Sequence, residues 1–157
     1  MATALAQARA AAGHADVPVG AVVLVGGDVV SARHNERERL GDPTAHAELL
    51  ALRDAARATG SWRLGPESVL VATLEPCAMC AGAMLAARVG RLVFGAVDPK
   101  AGACGSLYNL CADPRLNHEV EVVAGLSAGE SSRLLSTFFG SRRAASRTAS
   151  RAPNGGS

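Results

Sequence analysis

The sequence predicts an α/β protein of three layers, with helices on both faces of one mixed five-stranded sheet. Three observations predict it. After an Ala-rich first helix, segments of strand and helix character follow in the order β-β-α-β-α-β-β-α. Two of the strand segments meet at Gly26-Gly27, a hairpin signal. Apolar residues make up 48% of the 157, enough to bury one core without disulfide staples.

Each element has its own signal. Residues 3–12 favour helix through their alanines, and Gly13 and Pro18 end it. Residues 19–25 form an apolar, β-branched run, and residues 28–34 form the second arm of the hairpin. Glu36-Arg37-Glu38-Arg39 reads as a charged loop. Asp42-Pro43-Thr44 opens a helix that runs to about Ala58, because Asp or Thr can cap it and Pro suits its first turn. Gly60 stops it. Ser68–Leu74 reads as a buried strand. Pro76 then starts a helix over residues 77–88, ended near Gly90. Residues 92–94 form a short strand. Residues 98–117 are rich in Gly, Pro and Asn and make a long loop, of the kind that often carries function. Residues 119–123 alternate as a last strand. Residues 127–139 have helical spacing, with Leu134, Leu135, Phe138 and Phe139 on one side. Residues 1–143 thus form one domain, and residues 144–157 are expected to be a disordered basic tail.

Composition narrows the function. The net charge is +2, yet residues 141–157 hold Arg142, Arg143, Arg147 and Arg151 and no acid. Without those four arginines, 12 basic residues face 14 acidic ones, so attraction for an anionic polymer leans on the C-terminal end. Aromatic residues are too few for a surface that grips single strands mainly by stacking. No apolar run reaches the roughly 18 residues that span a membrane, so a cytoplasmic location is expected, with no membrane partner and no organic cofactor. Four cysteines in such a chain point to metal or catalysis rather than to a disulfide framework.

Two short motifs carry the chemistry: His46-Ala47-Glu48 at one helix start, and Pro76-Cys77-Ala78-Met79-Cys80 at the next strand-to-helix junction. Each alone is weak. In this order they match the H-x-E…P-C-x-x-C signature of zinc nucleobase deaminases. Cys77 and Cys80 are three apart, so they share a helix face in the first turn, where free N–H groups stabilise thiolates. Zinc takes two thiolates and a neutral imidazole readily, and a three-residue set leaves one tetrahedral position open for catalysis. One zinc per chain is expected, held by His46, Cys77 and Cys80. Glu48 does not share the stripe of His46 and is read as the proton carrier beside the metal.

On these residues the sequence closely resembles the bacterial tRNA adenosine deaminases, a branch of the cytidine/deoxycytidylate deaminase superfamily. The resemblance is carried by Asp16-Val-Pro-Val-Gly-Ala-Val, Asp42-Pro-Thr-Ala-His-Ala-Glu and Leu74-Glu-Pro-Cys-Ala-Met-Cys-Ala-Gly-Ala-Met. Arg91-Leu-Val-Phe-Gly-Ala-Val-Asp-Pro-Lys, Gly105-Ser-Leu, Asn117-His118 and Leu134-Leu-Ser-Thr-Phe-Phe extend it. It implies the cytidine-deaminase-like fold, a homodimer, and conversion of adenosine to inosine at the wobble position of a tRNA anticodon, with an arginine tRNA as the expected substrate. Water activated by zinc would attack C6, and ammonia would leave. Carried over by position, Asn35 would hydrogen-bond the flipped base, and Asp98, Lys100, Phe138 and Phe139 would lie near the anticodon loop. The first helix is short for the family, so the natural start is expected upstream. Gly140-Ser141 should loosen the end of the last helix.

Other readings stand beside this one. A deaminase of free cytosine, cytidine or guanine would share the metal motifs. A closed structural zinc module would use Cys104 or Cys111 as a fourth ligand. A thiol redox protein would join Cys77 to Cys80.

Overall fold

Gly26 and Gly27 both take positive φ, 59° and 91°, which residues with a Cβ rarely adopt, and they turn the chain back on itself. The hairpin they close joins β1 (Gly20–Val25) to β2 (Asp28–His34), pairing Gly20 with His34 and Val25 with Asp28 across a register shift between Val23 and Leu24. In the computed structural model, which describes residues 1–150, this hairpin forms one side of a five-stranded sheet. The other strands are β3 (Ser68–Leu74), β4 (Arg91–Ala96) and β5 (Glu121–Ala124). Their order is β2-β1-β3-β4-β5; the β1 pairings are antiparallel and the β3-β4-β5 pairings parallel. The sheet is mixed, as the sequence predicts.

Alternation sorts the strand residues between two faces. Ala21, Val23, Leu70 and Ala72 are buried in the main core with Ala51 and Ala55 of α3 (Ala47–Thr59) and Met84 of α4 (Ala78–Ala87). Val22 and Val71 face the opposite way, onto Ala4 of α1 (Ala2–Ala12). The last helix, α5 (Ala128–Ser150), packs beside α1 on that second face. Helix α1 comes so close to β1 that a Cβ on Gly20 would fall 1.9 Å from the carbonyl oxygen of Ala4.

Three expectations need correction. The charged loop at residues 36–39 is largely a short helix, α2 (Arg37–Leu40). Its N-terminus is capped from a distance: fully buried Asp16 accepts the N–H groups of Glu38 at 2.7 Å and Arg39 at 3.1 Å. The following helix starts at Ala47 rather than at residues 42–44. Asp42 spends its carboxylate on Thr44 instead, accepting both the N–H and the hydroxyl at 2.7 Å, so this segment is a turn. Helix α4 ends where the sequence predicts, at a cap formed by Arg88 in the left-handed conformation (φ 58°). Helix α5 passes through Gly140-Ser141 and continues over residues 144–150, where the sequence predicts disorder. Ala and Arg are strong helix formers, and they extend a helix already docked on the sheet. The rest of the expected tail, residues 151–157, lies outside the described residues. Among the described residues, no helix is long and apolar enough to cross a membrane.

Candidate active site

Helices α3 and α4 lie side by side on one face, so their N-termini meet. His46 is the residue just before α3, with extended backbone (φ −72°, ψ 147°), and Cys77 holds the same position before α4. Cys80 follows in the first turn of α4 and is buried. The three ligand atoms converge. His46 Nδ1 is 3.7 Å from Cys77 Sγ and 3.5 Å from Cys80 Sγ, and the two sulfurs are 3.7 Å apart. A tetrahedral ion with zinc–ligand bonds of about 2.3 Å to sulfur and 2.0–2.1 Å to nitrogen needs gaps of about 3.8 Å and 3.6 Å. The donor set therefore fits zinc without rearrangement. Among the described residues, only these three close into this group, and Cys104 and Cys111 stay outside it. Cys104 instead faces the carbonyl of Pro76 at 3.8 Å. A closed four-residue zinc site is not what the fold builds.

The electrostatics match a metal site. Cys77 is pushed down to about 3, chiefly by its hydrogen bond with Cys80 and by His46 beside it. His46 is raised, first by its hydrogen bond with Cys77. Glu48, in the first turn of α3, is 4% exposed. Burial pushes its carboxyl up to about 7, near the pH at which a proton carrier works best.

A cavity of about 440 Å³ opens over these groups, within the ordinary range for small-molecule sites. His46, Glu48 and Cys77 form its polar floor, and Val17, Val19 and Leu135 give it apolar walls. Of the residues proposed to bind substrate, Asn35, Asp98, Lys100 and Phe139 line it. Asn35 is 5% exposed. Its amide donates to the carbonyl of Val17 at 3.2 Å and accepts the N–H of Arg37 at 3.4 Å, which fixes the side chain. Asp98 accepts the N–H groups of Lys100 and Ala101 at 3.0 and 3.2 Å, so it shapes the loop that carries Lys100. Phe138 is not brought in. It lines a separate cavity with Ala12 and Pro18, because neighbouring positions on α5 diverge, and its ring meets Phe139 edge-on at 5.4 Å.

Sequence reasoning missed Glu75. Its side chain is 2% exposed and accepts four hydrogen bonds from the long loop. They come from the N–H groups of Asp98, Cys104 and Ser106 and from the Ser106 hydroxyl. Burial alone would raise its pKa; these donors outweigh burial and hold it below the ordinary value. The available signal was an acid at the end of an apolar strand, since a buried carboxylate needs partners. Arg37 and Val97 also line the cavity and were not singled out.

A three-layer α/β/α fold that joins a His/Cys/Cys triad to a buried glutamate in one cavity defines the zinc-type deaminases as a class. Comparison with known proteins agrees. The model for the cytidine and deoxycytidylate deaminase zinc-binding region matches residues 1–96. The tRNA-specific adenosine deaminase of Bacillus subtilis is 45% identical over 139 residues, 88% of this chain and 86% of that protein. A tRNA(Ile)-lysidine synthase of Deinococcus radiodurans is 47% identical over 155 residues, 98% of this chain, which spans about a quarter of that protein (26%). A solved structure from work on A-to-I editing by tRNA:A34 deaminases superposes with a TM-score of 0.82 at 43% identity, covering 86% of this chain and 97% of that one. The chain belongs to the cytidine and deoxycytidylate deaminase family and, within it, to the tRNA-specific adenosine deaminases.

Proposed function

We propose that the protein converts adenosine to inosine at the wobble position of a tRNA anticodon, with an arginine tRNA as substrate. The observation that carries the reading is the meeting of His46, Cys77, buried Glu48 and anchored Asn35 in one cavity of a tRNA-deaminase fold. His46, Cys77 and Cys80 would hold a zinc ion, which would supply the Lewis acidity that makes a water nucleophilic at neutral pH. Glu48 would take a proton from the attacking water as the water's oxygen bonds to C6, and would pass it to N1 of the ring. The second water proton reaches the exocyclic nitrogen by the same carboxylate, the C6–N bond breaks, and ammonia leaves. The products, inosine and ammonia, balance adenosine and water.

Asn35 retains a free N–H and a free lone pair, and so can pair with the polar edge of the extruded base. Asp98 and Lys100 sit on the rim with Phe139. Beyond Phe139, α5 carries Arg142, Arg143 and Arg147 on its exposed surface, where they can meet phosphates. A homodimer working in the cytoplasm is the expected form. Ammonia release from total tRNA, with inosine then mapped by sequencing, tests the reading. Inosine at a single anticodon position supports it, and ammonia without new inosine in tRNA refutes it.

A further inference from the structure

A second group of ligand atoms lies outside the catalytic cavity. His14 follows α1, His34 ends β2, and Glu36 immediately precedes α2. Their side-chain ligand atoms lie within 4.8 Å of one another. The two imidazoles face each other with Nε2 atoms 2.9 Å apart, and Glu36 Oε1 is 3.8 Å from His34 Nε2.

The partners of the other ring nitrogens decide what these Nε2 atoms can be. His14 Nδ1 is 3.0 Å from Asp16 Oδ2. Both Asp16 oxygens already accept backbone N–H groups, so the carboxylate is an acceptor and His14 Nδ1 carries the hydrogen. His34 Nδ1 is 2.7 Å from Gln7 Oε1, also an acceptor, so it carries its hydrogen too. Each neutral ring then presents a bare lone pair at Nε2. Two lone pairs aimed at one another, with a carboxylate beside them, call for a positive charge between them, either a shared proton or a metal ion.

We propose that His14, His34 and Glu36 bind a second divalent transition-metal ion, of the zinc class, distinct from the one at His46, Cys77 and Cys80. Two imidazoles and one carboxylate are a donor set that zinc uses elsewhere, and imidazole favours such ions. Tetrahedral geometry asks for about 3.3 Å between the nitrogens, a small opening from 2.9 Å. Asp16 and Gln7 supply the outer hydrogen bonds that orient metal-bound histidines. Arg33 donates to Glu36 Oε2 at 2.5 Å and Arg39 to Oε1 at 3.1 Å, which fixes the carboxylate, and the ion would share Oε1 with Arg39. The ion would tie the end of β2 to the loop after α1. Asn35, between His34 and Glu36, points the other way into the catalytic cavity, so the tie would stand directly behind it.

The test counts zinc by elemental analysis after the full chain is equilibrated with excess Zn²⁺ and free ion is removed. The full chain should hold two ions. His14→Ala should hold one and keep deaminating, because His14 lies outside the cavity. Cys77→Ala/Cys80→Ala should also hold one, with only nitrogen and oxygen neighbours in X-ray absorption at the zinc edge. Gln7→Ala should weaken the second ion by about 10- to 100-fold. One ion in the full chain would mean that the two histidines share only a proton, and would overturn the proposal. Two ions surviving in His14→Ala, or sulfur beside the second ion, would overturn it as well. Should the double cysteine variant fail to fold, the difference between the full chain and His14→Ala decides.

Discussion

The carboxylate of Glu75 accepts the backbone N–H of Ser106 at 2.9 Å across 31 positions of sequence. Through this and three further bonds, the residue next to Pro76-Cys77 fastens the loop that carries Asp98 and Lys100 to the rim of the cavity. The loop approaches so closely that a Cβ on Gly102 would fall 2.4 Å from the Glu75 carboxyl.

Glu75→Ala should therefore cost stability and loosen the rim together. Hydrogen bonds to a charged group contribute about 1.5–3 kcal/mol each, and the donors left behind can reach water only if the loop opens. A loss of at least about 2 kcal/mol is expected, a fall in Tm of roughly 4–8 °C for a domain of this size. Thermal unfolding with zinc present measures it. A Tm within about 1 °C of the native value would contradict the role.

Zinc should depend on both motifs at once. Cys77→Ala and Cys80→Ala should each lose the catalytic ion, since each removes one of three ligands whose spacing fits zinc. In a His14→Ala background, which isolates the catalytic site, elemental analysis should fall from about one ion per chain to nearly none. Full retention in both variants would rule out this ligand set.

Much of this was legible in the sequence, for local reasons. The hairpin needed only Gly26-Gly27, and the span of β3 matches its apolar run. His46, Cys77 and Cys80 could be read because a tetrahedral zinc site would impose such a spacing. What could not be read depends on contacts between distant residues. Helix α2 exists because Asp16 caps it from 22 positions away. Phe138 and Phe139 both belong to the apolar side of α5, and only the way α5 docks decides that Phe139 enters the cavity and Phe138 does not. His14 and His34 are 20 positions apart on segments that share no motif.

Glu48→Gln should keep the fold and the zinc and lose nearly all turnover. The amide is almost the same size, so the buried site keeps its packing, while proton transfer at that position is gone. General acid–base groups contribute about 10²- to 10⁴-fold. Single-turnover deamination with zinc content checked in parallel measures the loss. A variant that keeps more than about half of the native rate would remove Glu48 from the proton path.

Cutting the chain after Arg143 should weaken tRNA binding modestly and leave the edited position unchanged. The cut removes Arg147, exposed on α5, and Arg151. For every arginine–phosphate pairing removed, the slope of log affinity against log salt should shrink by about 0.7–0.9, so the total change should not exceed about 2. Phosphate contacts position a nucleic acid, whereas base contacts specify it. Binding curves at several salt concentrations, with inosine mapping of the product, check both halves. A shift in which adenosine is edited would show that the end of α5 reads bases.

The preference for an anticodon loop should be strong. The reacting base must leave its stack to reach Glu48, which is 4% exposed, and a loop base is already partly unstacked. The cavity mouth offers more than a free base can use. Asp98, Lys100 and Phe139 line it, and α5 carries its arginines beyond Phe139. Flanking nucleotides that fill this rim contribute binding energy that orients the reacting base, so truncated substrates should lose rate as well as affinity. An arginine-tRNA anticodon stem-loop should therefore be deaminated efficiently, and free adenosine, cytidine and guanine hardly at all. Ammonia release from each at equal concentration gives the comparison. The stem-loop with its wobble adenosine replaced by guanosine should release none, which ties the signal to one atom of one base. Turnover of a free base or nucleoside at a rate comparable to the stem-loop would mean that the rim does not select RNA, and would move the assignment to a deaminase of free bases.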